Sequence, residues 1–188
     1  MAGSFFAPFN MIKPIAFVLV IVRLGLLACT GLGVHASWAF TLSSGIEIQC
    51  QVQRDGKPGV ATEIWSHYSD PKERHPELGR AVAVMRLDDE GWPTIIMDGE
   101  AYKRTAKGTP AIWDFVYFHE CAHAQQPELG EIGANCQAYI EMEKRGLMSY
   151  HRMKEIEAMH LGILSLPEEY GGSGPKFWHL TLQCAKSK

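Results

Sequence analysis

Acidic residues are missing from the first 39 residues of the 188-residue chain, which contain only two basic residues, Lys13 and Arg23. All 21 Asp and Glu residues lie downstream of this segment. Removing the first 36 residues therefore takes away two positive charges and no negative charge. Such a charge boundary is typical of a targeting segment followed by a folded domain.

The chain also lacks a long basic run and a long uninterrupted apolar run. Its net charge of −3 is not the electrostatic footprint of a nucleic-acid-binding protein. Its mean hydropathy of −0.10 excludes a protein with several membrane spans. The 46% hydrophobic and 21% charged residues are ordinary for a globular protein, which excludes wholesale disorder.

Residues 1–36 have the order of a secretory signal peptide, with cleavage near Ala36 or Ala39. The two basic residues flank the first apolar segment, a second uncharged stretch starts at Leu24, and small residues precede both cleavage sites. Residues 37–188 then form a single mature domain. The prediction is a bacterial protein that is secreted or periplasmic.

Two alternatives for the leader remain open. A retained membrane anchor would need about 20 continuous apolar residues, and Arg23 interrupts the run. The segment that ends at Cys29 resembles a bacterial lipobox, and a lipid there would make a membrane-anchored lipoprotein. Without that lipid, the chain meets a membrane only transiently, through its signal peptide. The sequence leaves the oligomeric state open.

The five Cys residues become an even four once Cys29 is removed with the leader. Four Cys residues in an exported chain indicate two disulfides, for which three connectivities exist. We expect Cys121–Cys136, because these residues lie on adjacent predicted helices. The second pair is then Cys50–Cys184, which ties the first strand to the C-terminal tail. Free buried thiols are the alternative.

The segment from residue 40 to residue 105 predicts a small, mainly antiparallel sheet. Alternating apolar and polar residues and β-branched runs predict strands at 46–52, 60–65, 81–85 and 94–97. A turn is predicted at 55–59, and a second tight turn at Asp98-Gly99 precedes residues 100–103. This region forms the β half of the fold.

The pattern becomes helical from Thr109 onwards. Thr109 is predicted to cap a helix with Pro110 at its first position, and Pro127 ends it. Two further helices are predicted at 129–145 and 149–164. They are followed at 177–184 by a tail that is either a strand or a helix. The fold class is therefore α+β, with a small antiparallel sheet followed by a helical region that carries the chemistry.

An HExxH motif, His119-Glu120-Cys121-Ala122-His123, lies on the first of these helices. Residues four apart share one helix face, so both imidazoles can reach a single Zn²⁺ ion. Glu120 lies next to the metal without being a ligand, where it can take a proton from the metal-bound water and pass it to a leaving amine. The alternative is two histidines at helical spacing that bind no metal.

A catalytic zinc ion needs a third protein ligand and an open position for water. Pro127 turns the chain, and Glu131 in the next helix can point back at the metal. Asn135, one helical turn further on, can hydrogen-bond a ligand histidine and fix its tautomer. The alternative third ligands are Glu128, His151 and His160. The last of these lies on an apolar helix face, which favours a buried structural histidine.

The segment 119–123, followed by Glu131-x-x-Ala134-Asn135-Cys136, resembles the gluzincin class of zinc metallopeptidases. It is most similar to small exported bacterial proteins with HEC(A/G)H and A(D/N)C segments, and the similarity covers about residues 110–145. The resemblance implies a zincin-like domain with Glu131 as third ligand, Glu120 as general base and Asn135 beside a ligand. Asn135 stands where that class more often has Asp.

The sequence therefore predicts a zinc-dependent hydrolase, a secreted metallopeptidase with a peptide or protein substrate. Such enzymes often stabilise the oxyanion of the tetrahedral intermediate with a Tyr or His, and the candidates are Tyr170, His179 and Tyr117. The alternative is a non-catalytic, zinc-stabilised exported module for binding or structure. An open metal position beside a cleft distinguishes the enzyme from this module.

Overall fold

The computed structural model describes residues 39–187. The predicted signal peptide up to Ala36 and the lipidation candidate Cys29 lie outside these residues. None of the helices between residues 39 and 187 has the length and apolar content that crossing a bilayer requires.

Short strands build the first half of the described chain. They are β1 (Phe40–Thr41), β2 (Glu47–Ile48), β3 (Gln51–Arg54), β4 (Lys57–Val60), β5 (Thr62–Ser66), β6 (Ala83–Leu87) and β7 (Pro93–Asp98). The pairs β1–β2 and β3–β4 are antiparallel, and β7 lies between β5 and β6 in a three-stranded sheet. In that sheet β6–β7 is antiparallel and β5–β7 is parallel.

Helices build the second half, which confirms the α+β class. They are α1 (Gly99–Thr105), α2 (Pro110–Gln125), α3 (Glu131–Lys144), α4 (Tyr150–Leu161) and α5 (Gly174–Lys186). The tail is thus helical. Residues 100–103 belong to α1 because the Asp98 side chain accepts a hydrogen bond from the N–H of Ala101 at 2.8 Å, which caps the helix.

Two predicted strands each divide between two sheets. Residues 46–52 contribute to β2 and β3, and residues 60–65 to β4 and β5. Ala61, between β4 and β5, is fully buried and donates its N–H to the Cys50 carbonyl at 2.9 Å. The alternation of apolar and polar residues identifies a strand but not the point at which it changes partners.

Helix α2 lies at the centre of the core. It contacts β6 and β7 on one side and α3 and α4 on the other. Its side chains Phe115 and Tyr117 are almost fully buried, and the Tyr117 ring stacks on Phe40 with centroids 4.3 Å apart. A helix with neighbours on both sides is held rigidly, so the side chains of the HExxH motif have a fixed position.

Candidate metal centre

His119, His123 and Glu131 come together where α2 meets α3. Their potential ligand atoms all lie within 4.8 Å of one another. Oε2 of Glu131 is 3.1 Å from Nε2 of His119 and 3.5 Å from Nε2 of His123. Two imidazoles and one carboxylate at this spacing are a donor set that can hold a metal ion.

The local chain path explains why Glu131 reaches the histidines. His119 and His123 lie one turn apart near the C-terminal end of α2. The chain then reverses, with the N–H of Leu129 bonded to the Gln126 carbonyl at 2.9 Å. Glu131 is the first residue of α3, and its side chain extends back across this turn.

The charges within the ligand group depend on one another. Burial raises the pKa of Glu131, but hydrogen bonds from His119 and His123 outweigh it and lower the pKa overall. Burial lowers the pKa of His119, whereas contacts with Glu131, Glu120 and Asn135 outweigh it and raise the pKa. The ionised carboxylate therefore favours the protonated form of the His119 ring, and a bound cation would displace that proton.

Asn135 holds His119 from the side opposite Glu131. Its side chain is buried, and its Oδ1 lies 2.9 Å from Nδ1 of His119. An amide oxygen only accepts hydrogen bonds, so Nδ1 carries a hydrogen, and Nε2, which faces the Glu131 carboxylate, is the nitrogen that can exchange its proton for a metal ion. Asn135 therefore contacts the ring of His119 directly.

Glu120 faces the same cleft as the ligand group and is 8% exposed. Burial raises the pKa of its carboxyl, while His119, His123 and the backbone of Met85 in β6 oppose this effect. A raised pKa makes a carboxylate a stronger base, which favours proton transfer from water.

The ligand group opens into a cleft of about 780 Å³. Residues 77–86, which include most of β6, form one wall. Apolar side chains line much of the remainder, namely Phe115, Val116, Leu129, Met159, Ile163, Leu166 and Phe177. The ligand group therefore has access to solvent and to a bound molecule.

The candidate oxyanion residues lie in different places. Tyr170 lines the cleft, where burial and the neighbouring carboxylate of Glu131 raise its pKa to about 12. His179 is an exposed residue of α5 outside the cleft wall. The hydroxyl of Tyr117 is in the core and donates to Glu63 at 2.8 Å. Tyr170 is thus the member of this set that borders the site.

The alternative third ligands do not join the group. Glu128 and His151 are exposed. His160 is buried, and its Nε2 lies 3.0 Å from Nδ2 of Asn135 and is not part of the group of ligand atoms. Thr181 of α5, which sequence reasoning missed, contacts the same amide nitrogen at 3.1 Å. A Thr has no signature in the sequence that marks such a contact.

The disulfide pairing differs from the prediction. The bonds are Cys50–Cys121 and Cys136–Cys184, with Cα atoms 5.5 and 5.8 Å apart. The predicted Cys121–Cys136 and Cys50–Cys184 pairs are wrong for a geometrical reason. Cys121 lies about 200° around α2 from His119, and His119 faces α3, so Cys121 faces the strands. Cys136 lies on the side of α3 that contacts α5.

The Cys50–Cys121 bond ties α2 to the segment between β2 and β3, and the Cys136–Cys184 bond ties α3 to α5. Cys121 directly follows Glu120, and Cys136 directly follows Asn135, so both bonds anchor the backbone beside a residue of the site. Two disulfides in a domain of this size are typical of proteins that fold in an oxidising compartment.

The chain and its fold were compared with known proteins. No protein-family model, no curated protein and no solved structure matches.

Proposed function

We propose that this protein is a zinc-dependent hydrolase, a metallopeptidase with Glu120 as its general base. One observation carries the proposal: the ligand atoms of His119, His123 and Glu131 lie within 4.8 Å of one another beside a cleft that Glu120 also lines. Three protein ligands next to an open cleft leave a position for water, which is typical of catalytic zinc. The same arrangement supports the resemblance to the gluzincin peptidases.

In this proposal the metal ion, Glu120 and Tyr170 have different chemical roles. Zn²⁺, when bound, supplies a Lewis acid that polarises a carbonyl and lowers the pKa of water. The Glu120 carboxylate takes a proton from the attacking water and returns it to the nitrogen of the leaving amine. Tyr170, whose pKa of about 12 keeps its hydroxyl protonated at neutral pH, donates a hydrogen bond to the developing oxyanion.

The outer edge of β6, which pairs with no other strand within residues 39–187, favours an extended peptide as substrate. The Val82 carbonyl accepts from the N–H of Asp98 at 2.8 Å and so faces β7. Because backbone groups alternate along a strand, those of Ala83 and Met85 face the opposite edge, where the cleft and Glu120 lie. A peptide that adds to this edge as a further strand brings its carbonyl groups beside Glu120.

The two disulfides support export, which agrees with the predicted signal peptide at residues 1–36. We propose a secreted or periplasmic enzyme, with lipidation at Cys29 as the alternative means of attachment to a membrane. The substrate is a peptide or protein, and nucleic acid plays no part in the proposal.

The test combines zinc analysis with a peptide-library digest of the oxidised mature chain. Wild type, Glu120→Gln and the control Glu128→Gln should each bind one zinc ion. Turnover should fall by at least about 100-fold in Glu120→Gln alone, because Glu128 is exposed and outside the cleft wall. Full turnover in Glu120→Gln contradicts the role of Glu120. Zinc binding by the wild type without turnover favours the non-catalytic module.

A further inference from the structure

We infer that His160 is a positioning residue that acts on the metal site through Asn135, which contacts the ligand His119. Together with Thr181 it orients the amide group of Asn135. The oriented amide then fixes the ring tautomer of His119 that can bind a metal ion. This inference rests on the proposed zinc-dependent function.

The chain of hydrogen bonds starts at two backbone carbonyls. Nδ1 of His160 lies 2.8 Å from the Ile156 carbonyl, and the Thr181 hydroxyl donates to the Phe177 carbonyl at 2.9 Å. Carbonyl oxygens only accept, so both side chains use their hydrogen in these bonds. Nε2 of the neutral His160 ring and Oγ1 of Thr181 are left with free lone pairs.

Both lone pairs face the same nitrogen atom. Nδ2 of Asn135 lies 3.0 Å from Nε2 of His160 and 3.1 Å from Oγ1 of Thr181. The amide nitrogen carries two hydrogens, and each has an acceptor. Rotating the amide by half a turn would put its oxygen against two acceptors and lose both bonds. The chemistry of the neighbours therefore sets the orientation of Asn135.

That orientation determines which nitrogen of His119 keeps its hydrogen when a metal ion binds. Oδ1 of Asn135 faces Nδ1 of His119 at 2.9 Å, which leaves Nε2 directed at Glu131. If the amide rotated, its NH₂ group would face Nδ1 and favour the opposite tautomer, with the hydrogen on Nε2. A metal ion binds the unprotonated nitrogen, so the rotated state competes with metal binding.

The side chains that form these hydrogen bonds are buried. Asn135, His160 and Thr181 are 2%, 1% and 0% exposed, so a broken hydrogen bond here is not easily replaced by one to bulk water. The His160 ring stacks on Trp178 with centroids 5.0 Å apart and meets Phe115 edge-on at 5.7 Å. These rings hold His160 in place while its polar atoms make the two contacts.

The variant His160→Phe keeps an aromatic ring in this pocket and removes the acceptor. We expect its Kd for Zn²⁺, measured by competition with a chromophoric chelator on the oxidised chain, to rise about 10–100-fold. Thr181→Val should show a smaller rise. Zinc-loaded wild type should show a slowly exchanging NMR signal from Nδ1–H of His119, and this signal should weaken in His160→Phe.

A double-variant cycle separates positioning from general destabilisation. The combination of Asn135→Ala with His160→Phe should bind zinc no more weakly than Asn135→Ala alone, because His160 acts through Asn135. The matched control is Met142→Ala, which removes a buried side chain of α3 that takes no part in these hydrogen bonds. It should lower thermal stability and leave the zinc affinity unchanged.

The inference would be overturned if His160→Phe bound zinc with wild-type affinity. It would also be overturned if the double variant bound zinc more weakly than Asn135→Ala, so that the losses of zinc affinity in the two single variants multiplied. If His160→Phe does not fold, Thr181→Val decides the question, and wild-type affinity and NMR signal there would likewise overturn the inference. A wild-type chain that binds no zinc would overturn the proposed function together with the inference, so the two failures are distinguishable.

Discussion

The carboxylate of Glu155, on α4, caps the N-terminus of α2 by accepting a hydrogen bond from the N–H of Ala111 at 2.8 Å. The same oxygen accepts from the next N–H, that of Ile112, at 3.1 Å. The predicted N-cap Thr109 makes no side-chain cap, since its hydroxyl donates to the Thr105 carbonyl. The helix that carries the HExxH motif therefore depends on α4 for its N-terminal cap.

Replacing Glu155 by Ala should lower the free energy of unfolding by about 1–2 kcal/mol, because two N–H groups at the N-terminus of α2 lose their charged acceptor. Thr109→Ala should lower it by less than about 0.5 kcal/mol. Urea denaturation of the two variants beside the wild type measures both effects. Equal losses in the two variants would show that Glu155 is not the principal cap of α2.

Glu63 should make the stability of the fold depend on pH. Its side chain is 3% exposed and accepts a hydrogen bond from Tyr117 at 2.8 Å. Burial raises the pKa of Glu63 from 4.5 to about 7, against hydrogen bonds that lower it. Between these two pH values the native state binds the proton that the unfolded chain has lost. Stability should therefore fall as pH rises from about 4.5 to 7 and level off above.

The variant Glu63→Gln removes this titration. The difference in free energy of unfolding between the variant and the wild type should shift by roughly 3 kcal/mol in favour of the variant across this window. Denaturation at a series of pH values from about 4.5 to 8 measures the difference, and titrations common to both proteins cancel. Parallel stability curves would mean that Glu63 keeps an ordinary pKa in the native state.

The residues of the candidate metal centre could be predicted from the sequence because their geometry is local. One helical turn separates His119 from His123, and a single chain reversal at Pro127 brings Glu131 back to them. Asn135 follows from the same helical spacing. None of these placements requires knowledge of how distant elements pack.

The disulfide pairing and the contacts of Asn135 with His160 and Thr181 depend on long-range packing, so they could not be predicted from the sequence. The position of Cys121 on the helix face opposite His119 indicates that it faces away from α3, but not that Cys50 lies there. Likewise, the contact between Thr181 and Asn135 exists only because α5 packs on α3. The parallel β5–β7 pair is a third relationship of this kind.

Arg74 should hold one wall of the cleft in place. Its Nε donates to Asp98 at 2.9 Å, and its other nitrogens donate to the carbonyls of Gly79 and Ala81. Both of those residues line the cleft. In Arg74→Met we expect faster amide hydrogen exchange over residues 76–82 and a loss of about 1–3 kcal/mol in stability, since Asp98 and the two carbonyls lose a charged donor.

Arg86→Met provides the matched control for Arg74→Met. Arg86 pairs with Glu77 at 2.9 Å, but both side chains are about half exposed, so this variant should change stability by less than about 0.5 kcal/mol. Unchanged exchange over residues 76–82 in Arg74→Met would mean that the wall holds its shape without the ion pair.

Tyr170 should contribute to turnover without contributing to metal binding. Its hydroxyl borders the cleft beside Glu131, whereas the exposed His179 does not line it. In Tyr170→Phe we expect kcat to fall about 100-fold, because the developing oxyanion loses a donor, while the zinc affinity stays at the wild-type value. His179→Gln should keep both quantities. A fall in zinc affinity in Tyr170→Phe would instead assign the hydroxyl to the support of Glu131, and an unchanged kcat would remove Tyr170 from the mechanism.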